Sequence, residues 1–368
     1  MKFPNKYLRN LKPYKLASHK IWSVLPESRP EVLKLDWNEA TLPPTPLVSE
    51  RIAGLLSQPC FYNLYPKTRN DELIRLLAAY VGLSEENVQY FASSDALHEY
   101  ICKVFISVGD PVIILGPSYD NFRLTCEANG AKVFFSDYRD DFSFDADKFE
   151  SDIYSHEPAV VYICNPNNPT GYLHKEAYIE HLLEEFPDTL FLIDEAYYEF
   201  AGVTCKNLVL RHDNILISRT MSKAFALANF RVGYLVASAD NVQFVNRIRN
   251  PKNITTFAQE AAIAALSDLD YMWNYVDQVH QGKAFFENAI LKYADKFKAL
   301  PSSGNFILLR FKDKAEKNQL INYLADRNIF VRETGQSASV LDCFRITCGT
   351  KSQMARVTSV IDDYYAGR

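Results

Sequence analysis

A lysine and an arginine stand eight residues apart in Ser222-Lys223-Ala224-Phe225-Ala226-Leu227-Ala228-Asn229-Phe230-Arg231-Val232-Gly233. Short β-branched runs flank them, Asn214 to Thr220 before and Val232 to Ala237 after. A lysine amine condenses with an aldehyde to a Schiff base, and a guanidinium grips a phosphate as a bidentate fork. Lys223 and Arg231 therefore suit a cofactor that carries both groups, and pyridoxal 5'-phosphate (PLP) is that cofactor. Thr220 and Ser222 flank the lysine and offer hydroxyls to a phosphate. Spacing alone also allows a plainer account, since cations beside strands are most often solvated.

Further polar residues follow apolar runs. Asp194 and Glu195 close the run Leu190–Glu195. A carboxylate there is costly to bury unless paired, so the alternatives are a helix cap or surface turn and a bound cationic group. An Asp194 carboxylate facing the pyridine nitrogen would keep the ring protonated and electron-accepting, and Tyr197, three residues on, would donate to the ring's phenolic oxygen. Asn165-Pro166-Asn167-Asn168-Pro169-Thr170-Gly171 fixes a tight turn after the run Ala159–Asn165 and holds the Asn168 amide at a strand end. Ser93-Ser94-Asp95 precedes a helical pattern at Leu97, Ile101, Cys102 and Phe105. That is an ordinary N-cap, and the same geometry binds phosphate through Ser94 and Asp95. Tyr119, in Gly116-Pro117-Ser118-Tyr119, either stacks on a flat ring or belongs to the core.

These residues need elements to position them. From Val88 to Ala237 seven short apolar runs alternate with turns and helical stretches: Val88–Ser93, Pro111–Gly116, Ala131–Asp137, Ala159–Asn165, Leu190–Glu195, Ile215–Thr220 and Val232–Ala237. Several are unbroken by polar residues, as in strands buried on both faces. The expected fold is α/β: a large domain with a mostly parallel seven-stranded sheet flanked by helices, plus a smaller α+β C-terminal domain. In such sheets ligands bind beyond the carboxyl ends of the strands. Asn246 to Leu300 reads as helical with a break near Pro251. Three strands then follow, Phe306–Phe311, Ile329–Arg332 and Phe344–Cys348, with a helix between the first two. The expected division is an irregular N-terminal arm over 1–35, a large domain over 36–245 and a small domain over 246–368.

Composition narrows the functional classes. The chain has 368 residues and a formal net charge of -5, with no basic tract, which argues against nucleic acid. No apolar run reaches the length of a membrane span, and Met1-Lys2-Phe3-Pro4-Asn5-Lys6 lacks the apolar core of a signal peptide. Cys60, Cys102, Cys126, Cys164, Cys205, Cys343 and Cys348 form no C-x-x-C pair, and several lie in apolar runs, as expected of reduced thiols in a cytoplasmic protein. G-x-G-x-x-G, Gly-Lys-Ser/Thr and G-x-S-x-G are absent, and the seven histidines are scattered, so nucleotide, serine-hydrolase and metal chemistry find no motif.

The motifs Asn-Pro-Asn-Asn-Pro-Thr-Gly, Asp-Glu-Ala-Tyr and Ser-Lys-Ala-Phe-Ala-Leu-Ala-x-x-Arg-x-Gly resemble those of the fold-type I PLP enzymes, in particular the histidinol-phosphate aminotransferase-like branch of the class I/II aminotransferases. The resemblance spans nearly the whole chain. It implies Lys223 as the Schiff-base lysine, Asp194 as the pyridinium partner, Tyr197 and Asn168 as contacts to the ring hydroxyl and Tyr119 as the stacking residue. It also implies that Ser94, Asp95, Thr220, Ser222 and Arg231 hold the phosphate. Members are homodimers with shared sites, and Tyr65-Pro66 matches the pair that reaches the neighbouring cofactor. Arg345, inside an apolar strand, calls for an anion or an internal salt bridge. The resemblance makes it the clamp for a substrate carboxylate, with Arg332 facing a substrate phosphate. Asn305 and Asn38 also match family positions toward the substrate. Departures lie at that end too: Ala40 follows Asn38-Glu39 where asparagine is usual, Leu64 precedes Tyr65 in place of arginine, Ala96 follows Asp95 in place of an acid, and Glu333 follows Arg332 in place of proline.

The expected activity is transamination of a small phosphorylated amine or amino acid, with glutamate as donor or 2-oxoglutarate as acceptor. Decarboxylation of a phosphorylated amino acid is the alternative, set by which bond at Cα stands perpendicular to the ring. A non-catalytic ligand sensor on the same fold is more remote: the short N-terminus leaves no room for a helix-turn-helix, and Lys223 and Asp194 are both present.

Overall fold

The computed structural model describes residues 5–9, 11–13, 20–59, 61–334 and 338–367. Cys60, the opening Met1-Lys2-Phe3-Pro4 and part of the expected N-terminal arm lie outside the described residues. In chain order the strands are β1 (Leu33–Leu35), β2 (Val88–Phe91), β3 (Pro111–Gly116), β4 (Lys132–Asp137), β5 (Val160–Cys164) and β6 (Leu190–Asp194). Then come β7 (Ile215–Thr220), β8 (Gly233–Ala237), β9 (Phe297–Ala299), β10 (Phe306–Phe311), β11 (Ile329–Glu333) and β12 (Cys343–Thr347).

Among the described residues these strands make two sheets. The larger has seven strands in the order β2-β8-β7-β6-β5-β3-β4. Neighbours from β4 to β7 pair in parallel, and β8 runs against both β2 and β7. The expected sheet is therefore present. Its central strands bury every or nearly every residue because helices cover both faces, which is why they read as unbroken apolar runs. β4, at the edge, buries only Ser136.

Parallel pairing brings several strand ends to one rim. Cys164 stands opposite Asp194, and Asp194 opposite Ser218, so the turns after β5, β6 and β7 open on the same side. β8 joins that rim by its amino end, since Thr220 pairs with Gly233 across an antiparallel ladder. Lys223 and Arg231 thus share one hairpin connection at the carboxyl edge of the sheet. Gly233 allows β8 to pass beneath the turn before the helix Ser94–Phe105: a Cβ there would lie 2.3 Å from the Ser94 backbone nitrogen.

The second sheet has five strands in the order β1-β11-β12-β10-β9. Two of them differ from the sequence reading. Leu33–Leu35, read as part of an irregular arm, pairs in parallel with β11, and Phe297–Ala299, read as helical, pairs with β10. Both are three-residue edge strands, too short to show a period of two; their structure comes from the neighbour they pair with. Helices Thr256–Leu266 and Leu269–Ile290 follow the turn at Pro251, and Lys314–Ala325 lies between β10 and β11 as expected.

Candidate active site

A cavity of about 940 Å³ opens between the carboxyl rim of the large sheet and the β1-β11-β12 side of the second. Its wall includes Ser94, Asp95, Tyr119, Asn168, Asp194, Tyr197, Thr220, Ser222, Lys223, Arg231, Arg332 and Arg345. Twelve of the residues singled out in the sequence, from seven separate stretches of chain, are therefore neighbours in space.

Lys223 projects its amine into this cavity, donating to the Trp37 carbonyl at 3.0 Å with Nζ 5.7 Å from the Tyr197 ring centroid. Burial lowers its pKa from 10.5 to about 8, and the charge of Arg345 pushes the same way. An amine near neutrality can both take and return a proton. Asp194 is 4% exposed; its Oδ1 accepts from the Ala196 backbone at 3.2 Å and its Oδ2 from the Tyr162 hydroxyl at 2.8 Å. Glu195 turns the other way. It forms a fully buried ion pair with Arg219, 2.8 Å from Nη2, and accepts from the Cys205 backbone at 2.7 Å. The two adjacent carboxylates are thus neither caps nor surface turns: one faces the cavity and one locks the core.

The Tyr197 hydroxyl accepts from the amides of Asn38 (3.1 Å) and Asn168 (3.3 Å). Burial raises its pKa well above the ordinary phenol value, so its own proton remains available for donation. Asn168 Oδ1 accepts from Arg345 Nη1 at 2.5 Å, and Arg345 Nη2 donates to the Asp36 carbonyl at 2.7 Å. Asn38 and Asn305 stand behind this layer. Both are wholly buried, and the Asn305 amide donates to the Asn38 carbonyl at 3.2 Å. Asn38 braces Tyr197, and Asn305 braces Asn38 in turn.

At the other end, Ser93 caps the helix Ser94–Phe105, its Oγ accepting from Ala96 at 3.1 Å. Ser93 has φ +101°, a conformation that costs energy in a non-glycine residue and fixes the turn that exposes the next backbone amides. Asp95 accepts from Tyr119 (3.2 Å), Asn121 (3.0 Å) and Arg231 (3.3 Å). Thr220 Oγ1 donates to Ser222 Oγ at 2.9 Å. Helix N-terminus, two hydroxyls and a guanidinium converge as a phosphate cradle would require, and the bare Cα of Gly233 lets β8 pack closely under that turn. Tyr65 lies apart from this cavity, 82% exposed, with the Lys252 amine 5.1 Å from its ring centroid.

The cavity also holds residues the sequence did not single out. Lys34, on β1, pairs with Asp36 at 2.9 Å and with Glu39 at the cavity wall. Trp37 supplies the carbonyl that holds Lys223. Tyr162, outside the cavity wall, holds Asp194 from inside the sheet, and only the β5–β6 register brings the two together.

Residues 30–361 match the family described as aminotransferase class I and II. The chain belongs to that family. It is a PLP-dependent aminotransferase of fold type I, and the cavity's amine, carboxylate and phosphate cradle fit the aldehyde, ring nitrogen and phosphate of that cofactor. Across 98% of its length it is 37% identical to a dihydroxyacetone phosphate transaminase of Campylobacter jejuni, covering 96% of that protein. It is 33% identical to a histidinol-phosphate aminotransferase of Ruminiclostridium cellulolyticum, over 92% of this chain and 93% of the other. The fold is shared with the histidinol-phosphate aminotransferase of Clostridium acetobutylicum, at TM-score 0.82 and 21% identity, covering 92% of this chain and 100% of that one. An L-threonine-O-3-phosphate decarboxylase of Porphyromonas gingivalis shares it at TM-score 0.77 and 22% identity, with 91% and 100% covered. Among the described residues no helix is long and apolar enough to cross a membrane, and six cysteines are buried free thiols.

Proposed function

We propose that this aminotransferase exchanges an amino group between glutamate and a small phosphorylated ketone, with 2-oxoglutarate as the returning acceptor. One observation carries the reading. Arg332 and Arg345 stand directly opposite each other on β11 and β12, and both line the cavity. Two guanidiniums facing one cavity give a substrate anion two fixed forks to bind. Both glutamate and a phosphate monoester ketone bring an anion to that position. Three-carbon phosphorylated ketones come first among candidates, because the 37% identical relative is named for one.

The residues divide the work as follows. Bound in the cavity, PLP supplies the electron sink that makes a substrate Cα–H bond acidic. Lys223 takes that proton and returns it, which its lowered pKa permits near neutral pH. Asp194 offers a fixed negative charge toward the ring nitrogen, while Tyr197 and Asn168 hold the ring oxygen. Tyr119 would lie against the ring, and Ser94, Asp95, Thr220, Ser222 and Arg231, which line the cavity, would hold the phosphate. Arg345 and Arg332 orient the substrate anion. The working unit is a homodimer in which Tyr65, solvated in its own subunit, reaches the partner's cofactor phosphate. Reduced buried cysteines suit a cytoplasmic enzyme.

The test is a screen of phosphorylated amines, amino acids and ketones with purified enzyme, following keto-acid formation and CO2 release together. Phosphorylated ketones with glutamate should be turned over with stoichiometric 2-oxoglutarate and no CO2. Release of CO2 without keto acid would assign the decarboxylase reaction instead. Equal turnover of unphosphorylated amino acids would remove the phosphate requirement.

A further inference from the structure

The carboxylate proposed to face the cofactor ring is held from behind by a tyrosine. β5 and β6 run parallel with Tyr162 opposite Leu192 and Cys164 opposite Asp194. Tyr162 and Cys164 are two residues apart on one strand, so they share a face. Tyr162 is therefore the diagonal cross-strand neighbour of Asp194, a separation that a long side chain bridges. Its hydroxyl donates to Asp194 Oδ2 at 2.8 Å, leaving Oδ1 to the Ala196 amide at 3.2 Å.

The phenol is fixed on every side. It is fully buried, and its ring stacks on Phe122 with centroids 4.9 Å apart and planes at 20°. The edge of His98 packs 5.8 Å away, and His98 Nε2 lies 2.9 Å from Ser218 Oγ. Ser218 stands opposite Asp194 in the β6–β7 ladder, so the His98 that packs on Tyr162 is itself held by the strand next to Asp194. Burial and the nearby Asp194 charge hold the Tyr162 proton firmly on the phenol, so this hydrogen bond has one direction. A buried carboxylate oxygen is costly unless a donor meets it, and the Tyr162 hydroxyl is the donor on Oδ2.

We propose that Tyr162 is a positioning residue for cofactor binding and catalysis: its hydroxyl fixes the plane of the Asp194 carboxylate, so that the carboxylate meets the cofactor ring in one orientation. The inference rests on the reading of Asp194 as the ring's counter-ion. The alternative is that the hydroxyl only satisfies a core acceptor, with no effect on the cofactor.

Tyr162→Phe separates the two, because it removes the hydroxyl and keeps the stack on Phe122. PLP is titrated into the cofactor-free wild type, Tyr162→Phe, Asp194→Asn and the double variant, and steady-state kinetics are measured for the single Tyr162 variant. The dissociation constant for PLP should rise about tenfold or more in Tyr162→Phe, as expected for a lost hydrogen bond to a charged group. In the Asp194→Asn background the same change should move it less than about twofold, since coupled residues are not additive. kcat should fall by about tenfold or more while KM for glutamate stays within about twofold. An unchanged dissociation constant and kcat in Tyr162→Phe overturn the inference, as does an equal loss with and without Asp194. If Tyr162→Phe fails to fold, Tyr162→Leu, which also lacks the hydroxyl, takes its place in the same cycle: a rise in the dissociation constant that shrinks in the Asp194→Asn background is expected, and an equal rise in both backgrounds refutes. Should wild type itself take up no PLP on Lys223, the failure belongs to the reading of the site and not to Tyr162.

Discussion

Replacing Lys223 with methionine should stabilise the cofactor-free protein, by an amount that depends on pH. Burial first, and the charge of Arg345 second, lower the amine from 10.5 to about 8 in the folded state. The unfolded chain keeps the ordinary value. Between about pH 8 and 10.5 the unfolded state therefore binds more protons, and stability rises with pH across that window. Below it the penalty of burying the ammonium is fully present. A displacement from 10.5 to about 8 corresponds to about 3 kcal/mol at about 1.36 kcal/mol per pH unit. Two effects reduce the gain from removing it. Water in the cavity screens part of the penalty, and the bond to the Trp37 carbonyl, worth about 1 kcal/mol, is lost. The net gain at pH 7 should be about 1–2 kcal/mol, falling through zero to a loss of about 1 kcal/mol or less by pH 10.5, where the lost bond outweighs what remains of the penalty.

Urea unfolding of both cofactor-free proteins at intervals from pH 7 to 10.5 measures this directly. A variant less stable than wild type at pH 7, or a difference that does not narrow as pH rises, would show that the amine is not desolvated. Its use as a base near neutral pH would then lose its physical support. The same displacement that weakens the fold leaves about a tenth of the amine neutral at pH 7, so stability and function pull in opposite directions at this residue.

Four other perturbations have expected outcomes. Asp194→Asn should lower kcat by about 10²- to 10⁴-fold with some PLP binding retained, read from steady-state rates and the visible spectrum; near-normal turnover would reduce Asp194 to a structural role. Arg345→Ala should raise KM for glutamate by about 10²-fold or more, whereas Arg332→Ala should act mainly on the phosphorylated partner; equal effects on both substrates would end the division of roles. Glu195→Gln should cost about 3–5 kcal/mol in denaturant unfolding, because Arg219 would be left charged and buried. Mixing inactive Tyr65→Ala with inactive Lys223→Ala should restore part of the activity through hybrid dimers, and light scattering of a fully active monomer would refute the shared site.

The cofactor side of the site was legible because its chemistry is local. Lys223, Asp194 and Asn168 each follow an apolar run within a few residues, and a parallel sheet gathers such positions at one rim without further information. Glu195 shows where that reasoning stops. It is adjacent to Asp194 and of the same charge, yet alternation along β6 sends it into the core to meet Arg219, a partner 24 residues away. Tyr162 was missed for a related reason: it sits in the middle of an apolar strand, and only the β5–β6 register makes it a neighbour of Asp194. β1 and β9 were missed because three residues carry too little pattern to outweigh their surroundings.

The proposed substrate side draws its cations from the second sheet. Lys34 pairs with Phe330 across β1 and β11, Phe330 and Arg332 lie two residues apart on β11, and Arg332 pairs with Arg345 on β12. Direct pairs and second neighbours share a face, so three cations from three strands occupy one face of one sheet, and all three line the cavity. Asp36 and Glu39 hold Lys34 at the mouth, and the Asp36 carbonyl also receives Arg345, tying the outer cation to the inner one through a single short segment. No local motif encodes this arrangement, since it exists only once β1 has docked on β11. A chain can therefore keep every residue of the cofactor rim and still change what it accepts by altering a few side chains on β1, β11 and β12. Of the departures, Glu333 is the last residue of β11 and Ala40 follows β1 by five residues, which is where a difference in substrate from histidinol-phosphate aminotransferases would arise.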